Sequence, residues 1–311
     1  MIAAVQPVSP RVLTPGRWVY CWAENDWARY EPTPAFIDTL EVHDITGVIA
    51  HSVEPVPDSM VEASEWCTAE RVAKFNARGI QVMIGVGCRA PPYWQKIAKA
   101  IIKAIDACKR PNSPCVGVNV DWEGSWSGHK AEARLLIAMI LAAHADAGLY
   151  LTMPCWWAPE ERMGADGKLH ATQPSAPTKE WLDVIDHSIP IDPQCYGAPH
   201  EGMSINMLRW ARSQYLQHYG MPAWRVIASV QLYHRSLFDH LNLLLTEDTL
   251  ALWDWREADA VAKHALRISK VLRTAGIVGP DWVQLFQASR SLKVDGIAGP
   301  ITLAALAVVC I

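Results

Sequence analysis

Three polar residues occupy alternate positions of one apolar run: Asn119, Asp121 and Glu123 within Val116-Gly117-Val118-Asn119-Val120-Asp121-Trp122-Glu123. The run is rich in β-branched residues and bounded by turn formers, which predicts a buried strand. Alternate side chains on a strand share a face. Asn119, Asp121 and Glu123 therefore share one face, and Val118, Val120 and Trp122 the other. Burying polar groups without partners is unfavourable. An internal hydrogen-bond network or ion pair is one way to satisfy them. A carboxylate pair at the mouth of a barrel is another, with Glu123 last, where the strand meets its loop. Protonating a glycosidic oxygen needs that second setting, a carboxyl held beside another carboxyl so that one of the two pKa values rises.

The elements that must position this strand can be read from the rest of the chain. Strand-like runs occupy residues 17–22, 47–53, 80–87, 149–153, 191–196, 225–233 and 249–255 besides 116–123. Caps and helical periodicity mark helices at 34–42, 68–78, 93–109, 129–147, 178–187, 204–219 and 237–245. A long polar loop is expected from Pro154 to Pro177. The alternation predicts an α/β fold, a (β/α)8 TIM barrel over residues 17–258, after a Pro-rich arm at 1–16. A doubly wound open sheet would carry a Gly-rich phosphate turn after its first strand, and none is present. Barrel sites form at the C-terminal ends of the strands. The polar residues there are Glu24 or Asp26, Glu54, Glu123, Gln194 with Tyr196, Gln231 with Tyr233, and Asp254 with Trp255.

Composition narrows the chemistry. Half of the 311 residues are apolar, enough for a full core, and a net charge of -4 makes no electrostatic case for nucleic acid. Fifteen Trp supply candidate platforms for sugar rings, Trp22 and Trp255 at the rim among them. The eight Cys show no CxxC and no metal-ligand spacing, which predicts reduced, buried thiols and neither metal nor cofactor. No HExxH is present, which argues against a zinc peptidase of that type. Residues 1–15 lack the pattern of a signal peptide, and no apolar run reaches membrane-spanning length.

The strand Val116–Glu123 resembles the fourth-strand signature of glycoside hydrolase family 18, the chitinase-like barrels, written DGxDxDxE. The last Asp and the Glu match at Asp121 and Glu123, while Val116 and Asn119 stand where the pattern has Asp. Gln194-Cys195-Tyr196 is similar to that family's M-x-Y segment, and Trp255 matches its last-strand Trp. The resemblance implies that Glu123 protonates the leaving oxygen while the substrate's own N-acetyl group attacks the anomeric carbon. Asp121 would orient that group and Tyr196 would hydrogen-bond it. Asn119, Gln194, Gln231, Tyr233, Trp255 and Trp22 would bind the sugar. A two-carboxylate enzyme would instead draw its second carboxylate from Asp121, Glu24, Asp26 or Glu54. Family 25 lysozymes also carry D-x-E on a barrel strand, but their first-strand Asp has no match at Trp18–Trp22.

The C-terminus carries a separate signal. Gly-Ile-x-Gly-Pro occurs at Gly276–Pro280 and again at Gly296–Pro300, each time before a helix. With a helix from Asp259 to Thr274, the unit at 259–311 reads as a compact three-helix domain whose core is Val283, Phe286, Leu292, Ile297, Leu303 and Leu306. The run Phe286-Gln287…Leu292-Lys293-Val294-Asp295-Gly296-Ile297-Ala298-Gly299-Pro300-Ile301-Thr302 resembles the peptidoglycan-binding domain of cell-wall hydrolases, FQ…GLxVDGxxGPxT, with Ser291 in place of its Gly.

Barrel and module together resemble a bacteriophage endolysin. The resemblance implies a monomeric peptidoglycan hydrolase of lysozyme or N-acetylglucosaminidase type. It would be made in the host cytoplasm and act on the wall after release through a membrane hole, without membrane or nucleic-acid partners. A chitinase acting on chitin-like glycans and a non-catalytic wall-binding protein on a decayed barrel are the alternatives.

Overall fold

The computed structural model describes residues 16–21, 30–55, 61–63, 68–88, 91–108, 117–122, 129–144, 149–154, 161–163, 169–171, 191–194, 227–231, 235–247, 250–253, 255 and 258–309. Its strands are β1 (Arg17–Cys21), β2 (Gly47–Pro55), β3 (Val61–Ala63), β4 (Gln81–Cys88), β5 (Gly117–Trp122), β6 (Leu149–Pro154), β7 (Glu161–Met163), β8 (Leu169–Ala171), β9 (Ile191–Gln194), β10 (Ala228–Gln231) and β11 (Leu250–Trp253). Its helices, numbered in chain order, are α1 (Pro34–Val42), α2 (Ala69–Asn76), α3 (Trp94–Cys108), α4 (Lys130–Ala143), α5 (Leu237–Thr246), α6 (Ala260–Thr274), α7 (Trp282–Ser289) and α8 (Pro300–Ala307). The helices expected at 178–187 and 204–219 lie outside the described residues.

Local chemistry sets the helix ends. The side chains of Thr33, Thr68, Ser236 and Asp259 accept from the third backbone N–H onward at 3.2, 3.3, 3.1 and 2.7 Å, each satisfying one of the free donors of a first turn. After α6 the chain reverses through Gly276 at φ +75, a conformation that favours glycine.

Eight strands form one parallel path in the order β10-β11-β1-β2-β4-β5-β6-β9. The two ends of that path, β9 and β10, lie against each other. Two short antiparallel excursions follow strand ends: β3 pairs with the end of β2, and β7 pairs with β8. The second falls inside the stretch expected to be only loop. Strands of three residues are too short to leave a readable alternation.

Both faces of the sheet are buried, in different ways. Val19, Cys21, Val48, Ala50, Val82, Ile84, Val86, Val118, Val120, Leu250 and Leu252 join one apolar cluster with Leu40, Phe75, Ile101, Leu136 and Leu266 of the helices. Cys21 and Cys108 are free thiols within it. The alternate positions, Trp18, Tyr20, Ile49, His51, Met83, Asn119 and Asp121, are buried as well but stand outside that cluster. A sheet curled on itself encloses such an inner face. At its base a Cβ on Gly47 would lie 2.4 Å from the Trp18 ring, so the indole lies across this glycine.

Helix α6 is fastened to the barrel strands and helices. Buried Arg17, at the start of β1, donates to the Leu244 carbonyl at 3.0 Å and to Ser269 Oγ of α6 at 3.2 Å, and it pairs with Asp44. Burial lowers the Arg17 pKa to about 10, against the opposing pull of Asp44. Lys270 Nζ donates to the Glu41 carbonyl at 2.7 Å. The boundary expected at 258/259 therefore parts α6 from elements it is bonded to. Beyond it, Trp282 packs on Phe238 of α5 with ring centroids 5.6 Å apart, and Gly279 N–H donates to the Leu245 carbonyl at 2.8 Å.

The C-terminal motif is organised around Gln287. Its Nε2 donates to Asp295 Oδ1, the Ile297 carbonyl and Thr302 Oγ1 at 2.9, 3.0 and 3.1 Å. Its Oε1 accepts from the backbone N–H groups of Asp295 and Gly296 at 3.1 and 3.0 Å. One buried amide thus fixes the turn before α8. Val283, Phe286 and Leu306 are buried as expected. Ile297 and Leu303 are not core: they are 65% and 36% exposed, because the turn held by Gln287 directs residue 297 outward.

Candidate active site

The inner face of β5 carries two of the expected site residues. Asn119 is 0% and Asp121 5% exposed, as the alternation requires. Parallel pairing sets Asn119 between Gly85 of β4 and Tyr150 of β6, and Asp121 between Gly87 and Thr152. On β4 the positions beside both polar residues are therefore glycines, which set no side chain next to them. Glu123, the residue one step past the end of β5, lies outside the described residues.

The other expected site residues divide. Gln194 and Gln231 are the last residues of β9 and β10, in register with Pro154 and Trp253, so both occupy strand ends. Tyr196, Tyr233 and Trp22 lie outside the described residues, as do Glu24, Asp26 and Asp254. Glu54 lies within β2, in register with Glu62 of β3.

Trp255 belongs elsewhere. Its ring is packed against His43 at the end of α1, with centroids 5.2 Å apart, and Lys263 of α6 lies over it at 5.4 Å. It is part of the helix-side cluster and only 6% exposed, so it offers no open face to a sugar. The expectation failed because period-2 counting does not persist past Trp253, where β11 ends.

Two buried polar groups on the inner face escaped the sequence reading. Tyr20 occupies β1, and His51 occupies β2 in register with Gly85. A signal for both was available: each interrupts an apolar run at the same alternation that singles out Asn119 and Asp121.

What this arrangement can do follows from its donor set. A carboxylate and a carboxamide lie on one inward face, beside glycines, and Glu123 follows Asp121 two residues on in the sequence. Such a face can hold a sugar substituent by hydrogen bonds while an acid at the rim delivers a proton.

No family model matches the chain, and no curated protein matches it in sequence. Solved structures do resemble it. A chitinase from Bacteroides thetaiotaomicron superposes with a TM-score of 0.57 at 12% identity, over 82% of this chain and 96% of that one. A GH18 chitinase from Pseudoalteromonas aurantia gives 0.53 at 14% identity, over 82% and 99%. A chitinase from Chromobacterium violaceum gives 0.53 at 9% identity, over 83% and 99%. At such identities the likeness is one of fold: this chain has the fold of the chitinase TIM barrels.

Proposed function

We propose that this protein is a peptidoglycan hydrolase that cuts glycosidic bonds of the N-acetylated glycan strand. The observation that carries the reading is the buried Asn119–Asp121 pair on the inward face of β5, two residues short of Glu123, in a chitinase-like fold. Glu123 donates its proton to the leaving oxygen as the glycosidic C–O bond breaks. The acetamido oxygen of the substrate forms a bond to the anomeric carbon, oriented by Asp121 and hydrogen-bonded by Tyr196. Glu123, now a carboxylate, takes a proton from the water that opens this intermediate. Asn119, Gln194, Gln231, Tyr233 and Trp22 bind the glycan.

The segment after α6 is the wall-binding part. Its support is the match to the peptidoglycan-binding motif, whose Gln, Asp and Thr form the Gln287 network. Barrel and module together suit an endolysin, made in a host cytoplasm and acting on the wall after release. The chitinase resemblance keeps chitin-like glycans as the second reading.

Mass analysis of products from purified peptidoglycan tests the substrate, since the reducing-end sugar identifies the bond cut. Glu123→Gln should reduce the rate by about 10²–10⁴ in a folded protein. Wild-type activity in that variant would remove Glu123 as the acid. Release of fragments from chitin and none from peptidoglycan would favour the second reading.

A further inference from the structure

Helix α6 turns a row of cations outward. Its buried positions are Ala262, Ala265, Leu266, Ile268, Ser269 and Leu272. The other face holds Lys263, Arg267 and Lys270, half-buried or exposed and spaced four and three residues apart. Such spacing keeps side chains together on one face, and the three span about 10 Å of helix axis. From Ala260 to Thr274 the helix has no Asp or Glu. Like charges at these spacings destabilise a helix, and Lys263 sits in the first turn, where the helix dipole disfavours a cation. The wider charge is lopsided in the same sense. Of the 28 Lys and Arg and 32 Asp and Glu in the chain, residues 259–311 hold six and three. That segment has an excess of three positive charges, and the chain before it an excess of seven negative ones.

The neighbours do not neutralise the row. Among the described residues no carboxylate pairs with Lys263, Arg267 or Lys270. Lys263 lies over the Trp255 ring, and Lys270 bonds the Glu41 carbonyl. The carboxylates of Glu41 and Asp38 on α1 are both held by Arg78. His43, at the end of α1, feels the resulting field. Burial lowers its pKa, its bond with the Thr39 carbonyl opposes that, and Arg267, Lys263 and Lys270 lower it further.

Charge and shape point to one kind of occupant. The row is one helix wide, and it is bordered by the α1 carboxylates on an otherwise acidic chain. A flat anionic membrane or a nucleic-acid duplex would meet those carboxylates too, whereas a single linear chain can lie along the row alone. Arg267, in the middle, offers the planar fork that fits phosphate oxygens. We propose that the outward face of α6 is a docking row for a linear, phosphodiester-linked polyanion of the cell wall, with successive phosphates seated on Lys263, Arg267 and Lys270. The row stands on α6 itself, and naming the wall as the source of the polymer rests on the hydrolase reading.

Titration calorimetry of the full chain with soluble poly(glycerol phosphate) tests it. The wild type should bind, and more weakly as salt rises. The double variant Lys263→Gln, Arg267→Gln should bind about tenfold or more weaker, with a flatter salt dependence and an unchanged circular dichroism spectrum. Arg267→Gln alone should show an intermediate loss. The polymer should also raise the pH at which the His43 ring protons titrate in NMR spectra, and less so in Arg267→Gln. No binding by the wild type, or equal binding by the double variant, would overturn the proposal. Tighter binding to phosphatidylglycerol vesicles than to the polymer would overturn it as well, by assigning the row to a membrane. Short uncharged glycan fragments should be cut equally by wild type and double variant. Should neither cut them, the hydrolase reading falls by itself, and the calorimetry still decides whether the row holds the polymer.

Discussion

Ending the chain at Ala258 should destroy the barrel rather than isolate it. The cut removes α6, where Leu266, Ile268 and Leu272 are fully or almost fully buried. Each such side chain contributes about 1.5–3 kcal/mol, so the three together contribute roughly 5–9 kcal/mol. The cut also removes the Ser269 oxygen from the buried Arg17 guanidinium, a loss of about 1.5–3 kcal/mol. A domain has only about 5–15 kcal/mol of stability in all. Ending the chain at Val278 instead keeps α6 and gives up the Trp282–Phe238 contact and the Gly279–Leu245 hydrogen bond. The ring pair is worth about 0.5–1.5 kcal/mol beyond the area it buries, and the hydrogen bond about 1 kcal/mol. Urea unfolding followed by circular dichroism compares the two. The chain 1–278 should unfold cooperatively, and 1–258 should be unfolded or insoluble in buffer. A cooperative transition for 1–258 at the same urea midpoint as 1–278 would refute the assignment of α6 to the barrel.

Other outcomes follow from single residues. Asp121→Asn should lower the rate on soluble glycan by about tenfold or more while the far-UV spectrum stays unchanged; full activity would detach Asp121 from the reaction. Ser291 follows α7 at φ +54, where a side chain costs about 1 kcal/mol. Ser291→Gly should therefore raise the stability of the full chain by several tenths of a kcal/mol in urea titration, and a lower midpoint would contradict that. His240 of α5 is buried, and burial lowers its pKa to about 4, with Asp259 pulling the other way. The unfolded chain then binds the extra proton first, so stability is present above about pH 6.5 and is lost as pH falls toward 4. The size is about 3 kcal/mol. His240→Leu should flatten that acid slope in pH-dependent unfolding, and an unchanged slope would count against it.

Alternation and caps made most of this architecture legible. Thr68 caps its helix where the sequence places that helix's start, and Thr33, Ser236 and Asp259 cap theirs in the same way, because a cap is a local bond between residues three apart. The placement of α6 was not legible in that way. Its apolar stripe shows that it packs on something, and only the long-range bonds to Arg17 and Glu41 show on what. Trp255 failed for a related reason: a strand's period holds only while the strand lasts, and the ring's partners come from two distant helices.

The inner face shows why polar residues on this sheet are informative while apolar ones are not. On an open sheet with one wet face, alternation of Val with Asn or Asp is ordinary and says only which side is solvated. Here the helix-side face and the inner face are both buried, so each inward polar residue is there against a desolvation penalty. Val118 and Val120 could be exchanged for other apolar residues at a small packing cost. Asn119 and Asp121 have no such freedom, because each buries polar atoms that an apolar replacement could not match. On the neighbouring strand, Gly85 and Gly87 stand in register with the two and set no side chain beside them. The reasoning from one strand's alternation to a site is thus strongest when the same alternation recurs on its neighbours, a comparison that needs the register between strands as well as the sequence along them.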